Sequence, residues 1–334
     1  MKAMNNYENG NNVQIYFAPL EGITGYVFRN AYEKYYGGID KYFTPFISPH
    51  TKKLMDSREK RDILSENNKG LRIVPQVLTN KAEDLIDIAK LLHEEYGYEE
   101  INLNIGCPSK TVTTKGKGSG FLEFPDQMEE FFDRYFKASD VKLSIKTRIG
   151  YWEVEEATRL FHLFERFPFE EVIIHPRLGS QMYKGTPYYD VFEDYLDRTK
   201  HSLCYNGDIN SIDDLKKLDV KWENCDKFML GRGLIARPQM LQAFRGENDI
   251  EYCDTVNDLR ILSQKEWQTF KDFHDELVEG YYAYMCEDRN TLYKMKELWT
   301  WWAVMFPGKE KILKKIKKAS ILQEYRMLVA SLQE

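Results

Sequence analysis

Residues 125–148 read PDQMEEFFDRYFKASDVKLSIKTR, and two hydrophobic periods lie back to back in them. From Pro125 to Ala138, Met128, Phe131, Phe132 and Tyr135 recur at helical spacing, and proline suits the first turn of a helix, where its missing N–H would have no partner. From Val141 the run is β-rich, and its alternation sets Lys146 and Arg148 on one face. The pairing repeats along the chain. Ala82–Tyr96 carries Leu85, Ile86, Ala89, Leu92 and His93 on one helical face. Besides Val141–Arg148, β-rich runs fall at Ile15–Pro19, Lys41–Phe46, Leu71–Leu78, Glu100–Asn104, Glu171–His175, Ser202–Asn206 and Lys227–Leu230. Val172–Ile174 and Phe228–Leu230 are too continuously apolar for a half-exposed sheet and fit parallel strands covered on both faces. Strand and helix alternating eight times over about 230 residues predict an α/β fold, a (β/α)8 TIM barrel. An open doubly wound sheet competes on pattern alone. The polar residues decide against it, because they fall at the C-terminal ends of different strands, where barrels carry their sites.

Outward from this core, Ile47–Ser65 is a longer connection with a helical turn of its own. After about Gly246 the β-rich runs stop, and Thr255–His274, Arg289–Phe306 and Glu310–Leu332 read as helices. The expected division is therefore residues 1–246 as the barrel and 247–334 as a C-terminal all-helical domain. No apolar run approaches the roughly 18–20 residues that span a bilayer, and the start, MKAMNNYENGNN, lacks a signal-peptide pattern, so a cytoplasmic protein is expected. Five scattered cysteines without a C-x-x-C pair argue against a disulfide framework and against a metal site. A net charge of −6 argues against a generally basic nucleic-acid binder but leaves room for a local basic face. Nothing in the sequence calls for an obligate protein partner.

The chemistry concentrates in Asn102-Leu-Asn-Ile-Gly-Cys-Pro-Ser-Lys110, after the fourth strand. A lone cysteine is commonly buried filler, but Gly106 and Pro108 make the loop around Cys107 rigid and exposed. Residues 112–120, glycine-rich and hydrophilic, read as a mobile lid beside it; they lack G-x-x-x-x-G-K-[ST], which excludes a P-loop triphosphatase. An inward Lys146 at a strand end is costly unless it meets an anion, either a ligand or an internal carboxylate. His175 ends the sixth strand and, taken singly, could be a core histidine. Gly231-Arg-Gly233 opens a helix after the eighth strand and, with Asn206-Gly-Asp208 after the seventh, offers the backbone donors of a phosphate site.

Together these segments resemble the tRNA-dihydrouridine synthase family. The likeness rests on Ala18-Pro-Leu-Glu-Gly-Ile-Thr24, Pro75-Gln-Val-Leu78, Asn104-Ile-Gly-Cys-Pro108 with its lid ending at Gly118-Ser119, Lys146, His175-Pro-Arg177, Asn206-Gly-Asp208 and Gly231-Arg-Gly233. It spans the whole barrel in order. Asn-x-Gly-Cys-Pro with the lid is its most specific part. This chain departs from the family in having Gly25 in place of Asp and Pro176 in place of Gly.

The resemblance implies FMN across the barrel mouth, re-reduced by NADPH or NADH, and tRNA as substrate. Ala18, Pro19 and Leu20 would line the isoalloxazine; Gln76 and Lys146 would donate to its polar edge; His175 would lie near ring and phosphate. Gly231 and Arg232, with the loop of Asn206, Gly207 and Asp208, would hold the phosphate. Cys107 would protonate the uracil, with Asn104 and Arg177 as donors to its carbonyls and Lys115 and Arg148 facing RNA. In Lys309–Lys318 six lysines stand against one glutamate, a net +5, so Lys311, Lys314, Lys315 and Lys318 are expected to meet RNA phosphates. Arg289, Lys294 and Lys296 lie just upstream; Trp299, Trp301 and Trp302 fit a helix-bundle core better than an RNA surface. Two other readings stay open: a flavin barrel reducing a free pyrimidine, like the dihydroorotate dehydrogenases, and a non-catalytic RNA-binding flavoprotein.

Overall fold

The computed structural model describes residues 13–49, 53–245 and 262–333. Nine parallel strands form the sheet: β1 (Gln14–Phe17), β2 (Lys41–Phe43), β3 (Ile73–Val74), β4 (Gln76–Val77), β5 (Glu100–Ile105), β6 (Lys142–Gly150), β7 (Val172–Leu178), β8 (Leu203–Asn206) and β9 (Lys227–Leu230). Their order, β3-β2-β1-β9-β8-β7-β6-β5-β4, is that of a barrel. Eight runs become nine strands because proline has no N–H for the ladder, so Leu71–Leu78 breaks at Pro75. Ile73–Val74 pair with β2, whereas Gln76–Val77 pair with β5. Ile47, beyond β2, pairs with Val77 and closes the ring.

Alternation along each strand divides the core. The even positions of β1 and the odd positions of β7 and β9 put Tyr16, Ile173 and Met229 into a small inner core with Ala18, Phe43, Val74 and Cys204. The alternate residues, such as Ile15, Val172, Ile174 and Phe228, join a much larger core between strands and outer helices. The base of the inner space is polar: Lys41 is buried and pairs with Glu100 at 3.2 Å and Glu171 at 3.5 Å, and the Tyr16 hydroxyl donates to Glu171 at 2.9 Å. Burial of these charges is tolerable because each meets an opposite charge or a hydroxyl.

The C-terminal helices share the outer core with the barrel. Helix Gln264–Met285 lies on helix Tyr26–Tyr35, with Phe273 edge-on to Phe28 and Tyr36, and a Cβ on Gly280 would stand 2.6 Å from Val27 Cγ1. Two helix expectations change. The helix read as Thr255–His274 runs to Met285, where Cys286 caps it in the left-handed region; its expected start lies outside the described residues, as do the boundary at 246/247, the N-terminal twelve residues and Cys253. Glu310–Leu332 is two helices, Glu310–Lys318 and Leu322–Ala330, because Asp288 accepts the Leu322 N–H at 3.1 Å and starts a new turn there. The connection after β2 carries helix Ser57–Ile63, capped reciprocally by Asp56 and Glu59. Among the described residues no helix is long and apolar enough to cross a membrane, and no group of three or more His, Cys, Asp or Glu could hold a metal ion.

Candidate active site

The C-terminal ends of the strands carry the polar side chains. On β5, Asn102 and Asn104 face inward with Gln76 of β4, and the three amides are consumed by one another. Asn104 Nδ2 donates to Gln76 Oε1 at 2.8 Å, and Gln76 Nε2 donates to Asn102 Oδ1 at 2.8 Å. Asn102 donates on to Ser144, which donates to Glu100. Asn104 Oδ1 accepts the backbone N–H groups of Gly106 (3.1 Å) and Cys107 (2.9 Å). Asn104 thus sets the cysteine loop. Gln76, expected at the flavin edge, has both amide ends engaged here and does not line the cavity described below.

The segment expected to be a mobile lid is packed down. It forms a turn of helix, Lys110–Thr113, and a 3-10 stretch, Gly118–Glu123, in which Gly118 to Leu122 are buried. The apolar pair Phe121–Leu122 anchors it, and Ser119 donates to the Cys107 carbonyl through both its N–H (3.0 Å) and its hydroxyl (3.1 Å). Gly118 has φ +57, and a Cβ there would come within 2.6 Å of Cys107 O, so only glycine lets the lid close on the cysteine. Lys115, expected to face RNA, is exposed on this segment. Burial pushes the Cys107 thiol up from its ordinary value, against the lowering effects of the Ser109 N–H and of Lys146 and Arg148. The group is a thiol at neutral pH, the form of an acid rather than of a nucleophile.

The other side of the mouth is cationic. Lys146 donates to Asn206 Oδ1 at 2.7 Å, and its pKa is pushed down to about 8 by burial and by Arg148. Arg148, expected to reach RNA, is instead buried: its Nε donates to Gly106 O at 2.9 Å and Nη1 to Leu178 O at 2.8 Å, tying the cysteine loop to β7. Arg177, expected to reach the uracil, is also buried and spends Nη1 on Asp208 at 2.8 Å, a second pairing with Asp208 through Nη2, and Gly185 O. Asp208, in the left-handed region at φ 42, also accepts from Arg232 at 2.8 Å. His175 lies among Arg148, Lys146, Arg177 and Arg232, and burial with those cations holds it well below its usual pKa, hence neutral.

Lys146, His175, Asn206, Asp208 and Arg232 border a cavity of about 280 Å³, which Arg148 and Arg177 do not line. Its walls are Ala18, Pro19 and Leu20 after β1, Lys146, His175, the Asn206–Asn210 loop, Met229–Gly233, and two residues the sequence did not single out for it, Tyr183 and Trp301. Gly207 and Gly231 make the cradle: a Cβ on either would press on His175 and Tyr205, or on Ala18 and Leu20. Tyr183 lies in the loop after β7 with Arg232 4.5 Å and Arg148 5.5 Å from its ring centre. It sits in Met182-Tyr-Lys-Gly185, where no periodicity marks a facing direction; the glycine after it was the only local signal. Cys107 stands on the neighbouring β5 loop, partly exposed and within the fields of Lys146 and Arg148.

A family model described as "Dihydrouridine synthase (Dus)" matches residues 16–321, from the first strand into the last helices. The chain belongs to the dihydrouridine synthase family. It is 29% identical over 239 residues to "tRNA-dihydrouridine synthase B" of Vibrio parahaemolyticus, covering 71% of this chain and 72% of that protein. It is 27% identical over 270 residues to the protein of that name from Klebsiella pneumoniae, covering 80% of each. A "Probable tRNA-dihydrouridine synthase" of Staphylococcus aureus is 31% identical over 258 residues, covering 73% and 74%. Among solved structures, a 2-naphthoyl-CoA reductase superposes with a TM-score of 0.55 at 9% identity, over 74% of this chain and 52% of that one. Morphinone reductase superposes at 0.50 and 12%, over 73% and 88%. At such identities the structures speak for the barrel alone. Within this dihydrouridine synthase family member, the tail tryptophans divide: Trp299 and Trp302 are fully buried, Trp301 only partly. The five lysines of Glu310–Lys318 are all exposed, opposite buried Leu313 and Ile316. Lys294 and Lys296 are engaged internally, on Gly22 O and Ala319 O.

Proposed function

We propose that this chain is a tRNA-dihydrouridine synthase that holds FMN in the cavity of Lys146, Asn206 and Arg232, takes reducing equivalents from NADPH or NADH, and reduces the C5–C6 bond of uridine in tRNA. The observation that carries the reading is the pairing at one barrel mouth of a protonated, rigidly held Cys107 with a cation-lined cavity. The donor set fits the cofactor. Arg232, the Gly231 and Gly207 cradle and the loop amides around them suit a phosphate, and Lys146 suits a ring whose reduced form is anionic. Held there in its reduced form, FMN would supply the hydride for C6 of the uracil.

The protein's own residues do the rest. Cys107 Sγ–H delivers the proton to C5, and its raised pKa keeps that proton in place at neutral pH. Asn104 holds the loop through two N–H groups, and Ser119 grips its carbonyl. Asp208 fixes Arg177 and Arg232 relative to each other. Because His175 is neutral, it adds no further cation to the cavity. The exposed lysines Lys311, Lys314, Lys315 and Lys318, with Lys115, are offered to the phosphates of tRNA, which must release a base from its stack for reduction. In this reading residues 1–246 bind cofactor and do the chemistry, while 247–334 grip RNA.

The test is Cys107→Ala. The variant should stay yellow and still be bleached by NADPH, while dihydrouridine formation in tRNA falls by about 10²–10⁴-fold, the usual worth of a general acid. Unchanged uridine reduction removes the role, and turnover of free uracil or orotate would replace tRNA as the substrate. For the tail, replacing Lys311, Lys314, Lys315 and Lys318 by Gln should flatten the salt dependence of tRNA binding by roughly three to four in log–log slope. An unchanged slope removes RNA from that face.

A further inference from the structure

Helix Asp288–Trp302 of the tail carries two stripes. Leu292, Met295, Leu298, Trp299 and Trp302 are buried and belong to the hydrophobic core. Lys294, Glu297 and Trp301, spaced i, i+3 and i+7, form a half-buried stripe of their own. That stripe meets the barrel mouth. Lys294 Nζ donates to the Gly22 carbonyl at 2.7 Å, and the Glu297 carboxylate is 3.8 Å from where a Gly22 Cβ would stand. Trp301 lines the same cavity as Ala18, Lys146, Asn206 and Arg232. The helix also packs on Arg232–Ala236, the short helix whose first residue is the cavity's arginine.

One tail helix thus touches both the loop after β1 and the loop after β9. Trp301 packs at the edge of the core whose interior Trp299 and Trp302 occupy with Phe270 and Phe306 around them, and its remaining surface faces the cavity. In a wall that also holds Tyr183, whose ring faces Arg232 and Arg148, the partly exposed indole of Trp301 offers a flat, apolar ligand surface.

We propose that Trp301 is a cofactor-contact residue, so that the tail completes the flavin site and its docking on the barrel is coupled to flavin binding. This rests on the assignment of the cavity to FMN. By linkage, whatever affinity FMN gains from the docked helix, the docking of the helix gains from FMN. The indole is also an electron donor to an excited flavin, so it dims the emission of flavin bound beside it.

The experiment uses the full chain, stripped of flavin and titrated with FMN, with binding read by ultrafiltration and by flavin emission. Trp301→Ala should bind FMN about tenfold or more weakly, with Trp301→Phe intermediate. Flavin bound to Trp301→Phe should be brighter than in the wild type. Lys294→Met should weaken binding by a smaller factor, and Tyr293→Ala, exposed on the same helix, should change nothing. Should Trp301→Ala fail to fold, the Phe and Met variants decide. Wild-type affinity and emission in the Trp301 variants overturn the proposal, and so does an equal loss in Tyr293→Ala. A wild-type chain that binds no FMN instead overturns the assignment of the cavity itself.

Discussion

The two sides of the barrel mouth are built on opposite principles. On the β3–β5 side, Gln76, Asn102 and Asn104 bond to one another, and what remains of Asn104 goes into the Cys107 loop. Its polar capacity is spent internally, which rigidifies a buried polar network. On the β6–β9 side, Lys146, Arg148, Arg177 and Arg232 gather around a neutral His175, and Asp208 is the carboxylate that pairs with Arg177 and Arg232. There, positive charge is left over. A region whose bonds are already made should report damage as lost geometry and stability. A region with charge to spare should report it as lost affinity and altered pH dependence.

The largest departure is expected from Gly118→Ala. It forces a Cβ into a φ of +57 and against the Cys107 carbonyl. The cost should be on the order of 2–3 kcal/mol in urea unfolding, and uridine reduction should fall by about 10²-fold as the thiol is displaced. FMN affinity should not move. Loss of FMN with the thiol step intact would break the contrast between the two sides. Arg232→Ala should do the reverse. FMN binding weakens by about ten- to a hundredfold, the range for a lost charge-assisted hydrogen bond, while alkylation of Cys107 by iodoacetamide keeps its rate. Equal loss of Cys107 reactivity would show the two sides to be one unit.

The placement of these side chains was legible in the sequence, and the reason is geometric. A parallel strand with fixed alternation carries its inward residues to the mouth in register, so Asn104, Lys146, His175, Asn206 and Arg232 could be placed from periodicity and strand ends alone. What periodicity could not show is how those side chains are spent. Arg148 was expected to face RNA and Arg177 the uracil because their carbonyl and carboxylate partners, Gly106, Leu178 and Asp208, lie on other strands or their loops. The lid looked mobile because glycine suggests freedom. Its glycines instead meet close contacts: a Cβ on Gly120 would lie 2.7 Å from Thr113 O. Trp301 was indistinguishable from Trp299 and Trp302, since helical phase relative to a second domain depends on how the two dock. Pro75 was the exception in the strands: Leu71–Leu78 read as one run, and the barrel changes neighbours at that proline.

The smallest effect tests the spare charge most directly. Lys146, with a pKa of about 8, loses its proton in the free protein as pH rises through that value. A bound anion favours the protonated lysine, so FMN should hold that proton to higher pH and bind less tightly above about pH 8. The fall between about pH 7 and pH 9 is bounded at about tenfold, because one proton is linked. Other groups near the cavity do not mimic the step. His175 is already neutral, and the Cys107 thiol is pushed above its ordinary range. In Lys146→Met the affinity should start lower and stay flat across this window. If the variant keeps a step near pH 8, the titrating cation is not Lys146, and the surplus of charge on the β6–β9 side has been assigned to the wrong residue.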